Sequence, residues 1–131
     1  MVALLLAWAG TGAGGATIDK PVAMRLIGAR CSDDGKGSIA AFFGPSPGAD
    51  AEKLGFNIGP ILNVDLPHSR PYAGPGIYTS AQIAGIPVPH DYKTMFNDRG
   101  TVVVNADRQS GTFATDDGKA AGKWDCGTPL R

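Results

Sequence analysis

Glycine and proline punctuate this chain so densely that a long helix has nowhere to form. There are 19 glycines and 10 prolines in 131 residues, roughly twice the average usage of the two. In a helix interior glycine costs about 1 kcal/mol and proline about 3 kcal/mol. A helical bundle is therefore excluded, and short strands joined by turns are expected. Apolar residues make up 43% of the chain, enough for a packed core and too many for a disordered segment. At this length one small domain is expected, because a second independent core would have too little material. Charge narrows the function: 12 Lys+Arg against 12 Asp+Glu leave no net charge. A nucleic-acid binder needs a concentrated basic face to neutralise phosphates, and a polybasic membrane-surface segment needs the same excess. Neither is expected.

The N-terminus points to export. Val2 to Trp8 is a short apolar run, and small residues follow from Ala9 to Ala16. The run is far short of the ~20 apolar residues of a spanning helix, so no integral membrane span is expected. An apolar segment followed by small side chains is the layout of a secretory signal peptide. Cleavage after Ala16, with Gly14 at the −3 position, or after Ala9, with Ala7 there, would satisfy the requirement for small residues. The first is preferred, giving a signal peptide over residues 1–16 and a single domain over 17–131. No Lys or Arg precedes the run, and the other reading keeps 1–16 as an apolar N-terminal segment of the fold. No lipobox is present, since the first cysteine is Cys31.

The chain has two cysteines, Cys31 and Cys126. An isolated pair in an exported protein most often forms a disulfide; the alternative is two buried thiols. A bridge would close a loop of about 95 residues, worth roughly 4–5 kcal/mol by chain entropy. No CxxC, CxxCH or Cys/His cluster supplies a redox, haem or zinc motif.

Between the turn signals, strands are expected over Val22–Cys31, Ser38–Phe43, Ile61–Leu66, Tyr78–Ile83 and Ile86–Val88. Ser32-Asp33-Asp34-Gly35-Lys36 suits a type I′ hairpin turn. Ala49 to Leu54 would form one helical turn, ended by Gly55. In Ile61–Leu66, Leu62, Val64 and Leu66 share one face. Pro87 and Pro89 would put Ile86–Val88 at a sheet edge. Val102–Asn105, Ser110–Thr115 and Lys119–Cys126 read as a three-strand meander. Its last strand sets Ala120, Gly122, Trp124 and Cys126 on the core face. Seven or eight short strands with regular turns predict an all-β antiparallel sandwich, with Trp124 packed beside a disulfide.

The closing stretch, GTVVVNADRQSGTFATDDGKAAGKWDCG, resembles a pattern in small exported bacterial proteins, with the mycobacterial-type envelope lipoprotein antigens as the nearest group. The resemblance is carried by Cys31, Tyr72, Gly74, Pro75, Gly76, Tyr78, Gly111, Phe113, Gly118, Gly122, Trp124 and Cys126. It covers about half of the chain beyond the leader. It implies a β-sandwich whose last cysteine bridges to an early strand, in a secreted, periplasmic or cell-envelope location. It implies no enzymatic activity, and the missing lipobox cysteine departs from the group.

Few constellations carry chemistry. His68 and His90 with Asp65 and Asp91 could supply imidazoles and carboxylates to Zn²⁺ or Cu²⁺ if they converged; otherwise they are loop residues. Ser69, Ser80 and Ser110 lie outside any G-x-S-x-G elbow. Asp33-Asp34 and Asp116-Asp117 each precede a glycine and read as turn residues. Gly10–Gly15 lacks the Lys-Ser/Thr of a phosphate loop. The Tyr72–Tyr78 turn, with His68, Arg70 and Tyr92 near in sequence, is the better recognition candidate, since rigid aromatics bind at little entropic cost. The alternative is that both rings brace the turn.

These readings converge on a non-catalytic binding or structural module without a cofactor, using end loops to hold an unidentified protein or small-molecule ligand. A small metal-binding accessory protein using both histidines is the second expectation. A third is a subunit of an extracellular assembly, with identical copies as one form of it, that pairs through its retained N-terminal segment.

Overall fold

The computed structural model describes residues 14–45, 52–60 and 68–130. They form one antiparallel sheet of nine strands: β1 (Gly15–Lys20), β2 (Met24–Ile27), β3 (Ala29–Asp33), β4 (Ile39–Phe43), β5 (Lys53–Ile58), β6 (Gly76–Ile86), β7 (Phe96–Val104), β8 (Ser110–Thr115) and β9 (Ala121–Asp125). Their order is β2-β1-β9-β8-β7-β6-β5-β4-β3. From β3 to β9 every neighbour is the next strand in sequence, a plain meander. The two outermost strands, β2 and β3, are consecutive and separated only by Gly28.

That adjacency rolls the sheet up. One line of chain, Met24 to Asp33, pairs with β1 through its first half and with β4 through its second. Gly28 is the crossover: its N–H donates to Gly14 O at 2.8 Å, and its carbonyl accepts from Gly44 N at 3.1 Å. It takes φ +102, a left-handed value that glycine tolerates without a side-chain clash. The Cys31–Cys126 disulfide, with Cα atoms 5.9 Å apart, ties β3 to the residue that follows β9.

The architecture is thus a nearly closed barrel-like sheet rather than the expected sandwich. The alternation of short strands and turns was legible, but the same pattern serves two stacked sheets or one rolled sheet. What decides is the pairing of β1 with β9, Ala16 opposite Trp124, and no local signal encodes it.

The inward face is apolar, as strand alternation requires. Trp124, Tyr78, Phe43, Phe56 and Phe113 are its largest buried side chains. Phe43, Phe56 and Trp124 form a mutual cluster with ring centroids 5.2–6.4 Å apart. The Trp124 indole N–H donates to Thr112 O at 3.1 Å, so the largest core residue buries no unmet donor. In β6 the inward positions pass from Tyr78 to Ala81 and Ile83. An extra residue at Thr79–Ser80 makes a bulge in the ladder to β7, and Ser80 takes φ 59 there. The bulge reverses which alternate residues face the core.

Several local expectations change. Val22–Cys31 is two strands broken at Gly28. The Asp33–Lys36 turn is wider than a type I′ turn, because Asp33 pairs with Ile39 and five residues span the gap. The Asp34 carboxylate holds that loop by accepting from Lys36 N (2.6 Å) and Ser38 N (3.0 Å). The helical turn ending at Gly55 is replaced from Lys53 onward by β5. There Leu54, Phe56 and Ile58 point inward, and the Phe42 ring lies over Gly55, 3.0 Å from where a Cβ would stand. An aromatic neighbour covering a strand glycine offsets glycine's weakness there. Ile86 ends β6 instead of starting an edge strand, and Asp91 N bonds Val88 O in the turn beyond. The meander is as expected in β8, while β7 starts earlier, at Phe96. Ile61–Leu66 lies outside the described residues.

Gly15 and Ala16, placed by sequence in a signal peptide, belong to β1; Ala16 is fully buried. Gly14 is described as well, and residues 1–13 of the leader lie outside the described residues.

Candidate binding site at the barrel rim

Two ends of the barrel carry the residues of interest, joined by the length of β6. At its first end is the Tyr72–Tyr78 turn. The two rings stack with centroids 5.7 Å apart and planes 29° apart. The Tyr78 hydroxyl accepts from Ala73 N (2.8 Å) and donates to Gly74 O (2.6 Å). Both rings are buried, so they brace the turn from inside instead of offering their faces to solvent. The Arg70 guanidinium covers the Tyr78 ring at 4.1 Å, a cation–π contact, and donates to Ile77 O at 3.3 Å. The Tyr72 hydroxyl is buried without a hydrogen-bond partner among the described residues. Burial, reinforced by the neighbouring Tyr78, raises its pKa.

His68 is exposed beside this turn. Ser69 is buried and its hydroxyl accepts from Gly59 N, which occupies it structurally and pins the chain to the end of β5. His90, Asp91 and Tyr92 lie past the other end of β6. Asp91 caps a one-turn 3₁₀ helix, Tyr92–Thr94, by accepting from Lys93 N at 3.2 Å. Tyr92 is 76% exposed. The eleven residues of β6 span about 30 Å at the usual rise per residue, so Tyr92 is not brought to Tyr72 and Tyr78, nor His90 to His68. Asp65 is outside the described residues. Among the described residues no three His, Cys, Asp or Glu side chains gather as a metal-ligating group.

The Asp turns are structural as well. Asp107 accepts from Gln109 N (2.9 Å), Ser110 N (3.1 Å) and Ser110 Oγ (2.7 Å). Asp117 accepts from Lys119 N and Thr115 Oγ1. Backbone N–H groups stabilise the charged carboxylates first and foremost, which lowers the pKa values of Asp34, Asp107 and Asp117.

The rim at the Tyr92 end carries what the sequence did not announce: a half-open groove of about 830 Å³. That size lies within the ~300–1,000 Å³ of sites that enclose a drug-sized ligand. Its walls come from the ends of β3 to β7 and from the residues after β9. One register row crosses its outer side: Arg30 faces Phe42, Phe42 faces Gly55, Gly55 faces Ala84, and Ala84 faces Asn97. Gly55 and Ala84 carry almost no side chain, so the surface dips between Phe42 and Asn97. Lys53 faces Ile86 in the next outward row, and Met95 follows. Phe42 is 54% exposed, one of several large apolar residues at the surface with Ile27 and Ile77. The disulfide forms part of the groove wall through both cysteines.

Sequence reading missed the groove because its parts lie on five strands whose register is long-range information. The one local sign was Phe42 beside Phe43, two aromatics that must face opposite sides of a strand. No helix among the described residues is long and apolar enough to cross a membrane. No protein-family model, curated protein or solved structure matches the chain.

Proposed function

We propose that this chain is an exported, non-catalytic binding protein of the cell envelope or its surroundings, and that it holds an apolar ligand in the rim groove. The groove is the observation that carries the reading: an apolar hollow of ligand size on a barrel whose interior is already filled by Trp124 and the phenylalanines. The Cys31–Cys126 bridge supports export, because structural disulfides persist in oxidising compartments. The resemblance of the closing meander to envelope proteins points the same way.

The position of β1 bears on where a leader would end. Gly14 O accepts from Gly28 N, and Gly15 and Ala16 pair with both β2 and β9. Removal through Ala16 would strip these contacts from the crossover, whereas cleavage after Ala9 leaves the barrel whole. The reading therefore prefers Ala9.

The test is intact mass of protein exported by its native source, natively and then denatured without reductant. Loss of residues 1–9, a two-proton deficit and excess native mass are expected. A full-length, reduced chain without bound mass would overturn the proposal. Second to be tested is the metal reading: isothermal calorimetry with Zn²⁺ and Cu²⁺ should show no heat that disappears in His68→Ala/His90→Ala, given the separation of the two residues.

A further inference from the structure

The described residues start at the wall of the groove. Gly14 packs so closely there that a Cβ on it would stand 2.3 Å from the Ala29 Cβ and 3.2 Å from the Cys126 carbonyl carbon. Ala29 and Cys126 both line the groove. The ladder has no room for the chain that precedes Gly14. Beyond Gly28, β3 closes on Cys126, with the bridged Cα atoms 5.9 Å apart, whereas a strand inserted between two others holds them about 9.5 Å apart. The interior is closed as well, because Phe43, Phe56 and Trp124 fill it. The chain before Gly14 therefore leaves the sheet beside the groove.

The sequence before that point supplies a matching occupant. Val2–Trp8 is an unbroken apolar run, and no ionisable side chain occurs from Met1 to Ile18, so laying the run in the groove buries no charged side chain of its own. The lengths agree. The groove crosses β3 to β7, four inter-strand spacings or about 19 Å. Extended, the run reaches about 23 Å, and the links from Trp8 to Gly14 span up to about 20 Å. The connector Ala9–Ala13 has glycine at positions 10 and 12, which lets it turn back.

We propose that in the unprocessed chain the groove is occupied by the chain's own Val2–Trp8 run, folded back from Gly14, and that cleavage after Ala9 opens it to an external ligand. This rests on the groove reading above and adds the regulation of that site. Docking removes apolar surface from water on both sides, that of the run and that of the exposed Phe42 ring. A tethered segment also competes at an effective concentration near millimolar, so an external ligand meets a groove that is closed most of the time.

The experiment compares the full chain with a chain starting at Gly10, both oxidised, using the neutral dye Nile red as the groove probe. Two variants accompany them: Leu5→Asp/Leu6→Asp in the full chain, and Ala84→Phe, which fills the hollow, in both forms. Far-ultraviolet circular dichroism and thiol titration verify the fold of each. Tryptophan emission gives a second readout. The chain has two tryptophans, and Trp124 is buried, so the difference between the two forms isolates Trp8. Nile red should bind the Gly10 form and bind the full chain at least roughly tenfold more weakly, as expected of a tethered competitor. Leu5→Asp/Leu6→Asp should restore binding to the full chain. Trp8 should be shielded from acrylamide in the full chain and lose that shielding in both variants. Ala84→Phe should also weaken dye binding to the Gly10 form. Equal dye affinity in the two forms, with Trp8 open to acrylamide, would overturn the self-occupied groove while the groove reading stood. Shielding of Trp8 that Ala84→Phe leaves unchanged would place the run elsewhere and overturn it too. Shielding that grows with protein concentration, with dimers in sedimentation, would put the run in a neighbour's groove and overturn the intramolecular assignment. No dye binding by the Gly10 form would overturn the groove reading and this inference together.

Discussion

Replacing both bridged cysteines, Cys31→Ala/Cys126→Ala, should cost this protein a large share of its stability. The bridge closes a loop across a sequence separation of 95, and the chain-entropy relation gives about 4.7 kcal/mol for a loop of that length. Small domains have only ~5–15 kcal/mol in total. For a chain of this size each kcal/mol moves the thermal midpoint by about 3–4 °C, so the fall should be roughly 15–20 °C. The location of the bridge adds a spatial expectation. β3 has a ladder partner on one side only, and beyond Gly28 it is held to the opposite end of the sheet by Cys31–Cys126. Loosening should thus begin along Ala29–Asp33. Urea and thermal unfolding of oxidised wild type and the double alanine variant measure the global term, and native-state hydrogen exchange measures the local one. Wild type with its disulfide reduced is the control. A loss below about 1 kcal/mol would refute the loop-closure argument. Equal acceleration of exchange in β3 and β7 would refute the claim that the bridge holds a seam.

The two stacked tyrosines should respond oppositely to loss of their hydroxyls. Tyr78→Phe leaves Ala73 N and Gly74 O without their buried partner and should cost about 1–3 kcal/mol by urea unfolding. Tyr72→Phe removes a hydroxyl that has no described partner and should be neutral or stabilising; a comparable loss in both would contradict the assigned bonding. Ser80→Gly should stabilise the bulge, by up to about 1 kcal/mol, since Ser80 sits at φ 59, and a lower thermal midpoint would count against strain there. Asp34, Asp107 and Asp117 have native pKa values below their ordinary ones. Their contribution is complete above the unfolded carboxylate pKa and disappears as pH falls through the lower native values. Stability should therefore decline from about pH 5 downward, and less steeply in Asp107→Asn, which keeps an acceptor but cannot be protonated. A pH-independent midpoint between 5 and 2 would refute the role of these caps.

Local chemistry was legible and long-range pairing was not. Ser110–Thr115 was readable because its alternation is uninterrupted and Asp107 and Asp116-Asp117-Gly118 mark its ends. Trp124 and Cys126 fell on the core face for the same reason, by counting in twos. Counting in twos fails where a strand changes phase. It could not anticipate the extra residue at Thr79–Ser80, or Gly28, where one strand becomes two. β5 was hidden by Gly55, whose cover is Phe42 on the neighbouring strand, a partner thirteen residues away. The Tyr72–Tyr78 segment, singled out as a recognition candidate, forms a turn with both rings buried and stacked. Whether its rings face in or out depends on the even-numbered phase of Tyr78 before the bulge, which the sequence alone does not reveal. The groove was least legible, since Arg30, Phe42, Gly55, Ala84 and Asn97 meet only through four consecutive registers.

The placement of β1 against β9 sets a timetable for folding. The ladder from β3 to β9 joins only sequence neighbours, so those hairpins can form as each segment becomes available. β1 must wait. Its partner Trp124 lies at the far end of the chain, and closing such a contact carries the slow entropic search of high contact order. Until Asp125 has emerged from the ribosome or a translocation channel, β1 and β8 each expose an unpaired edge, the kind of surface that templates aggregation. The expected signature is a low φ-value at Ala16 beside higher ones at Val102 and Phe113; early formation of β1–β9 would reverse that order.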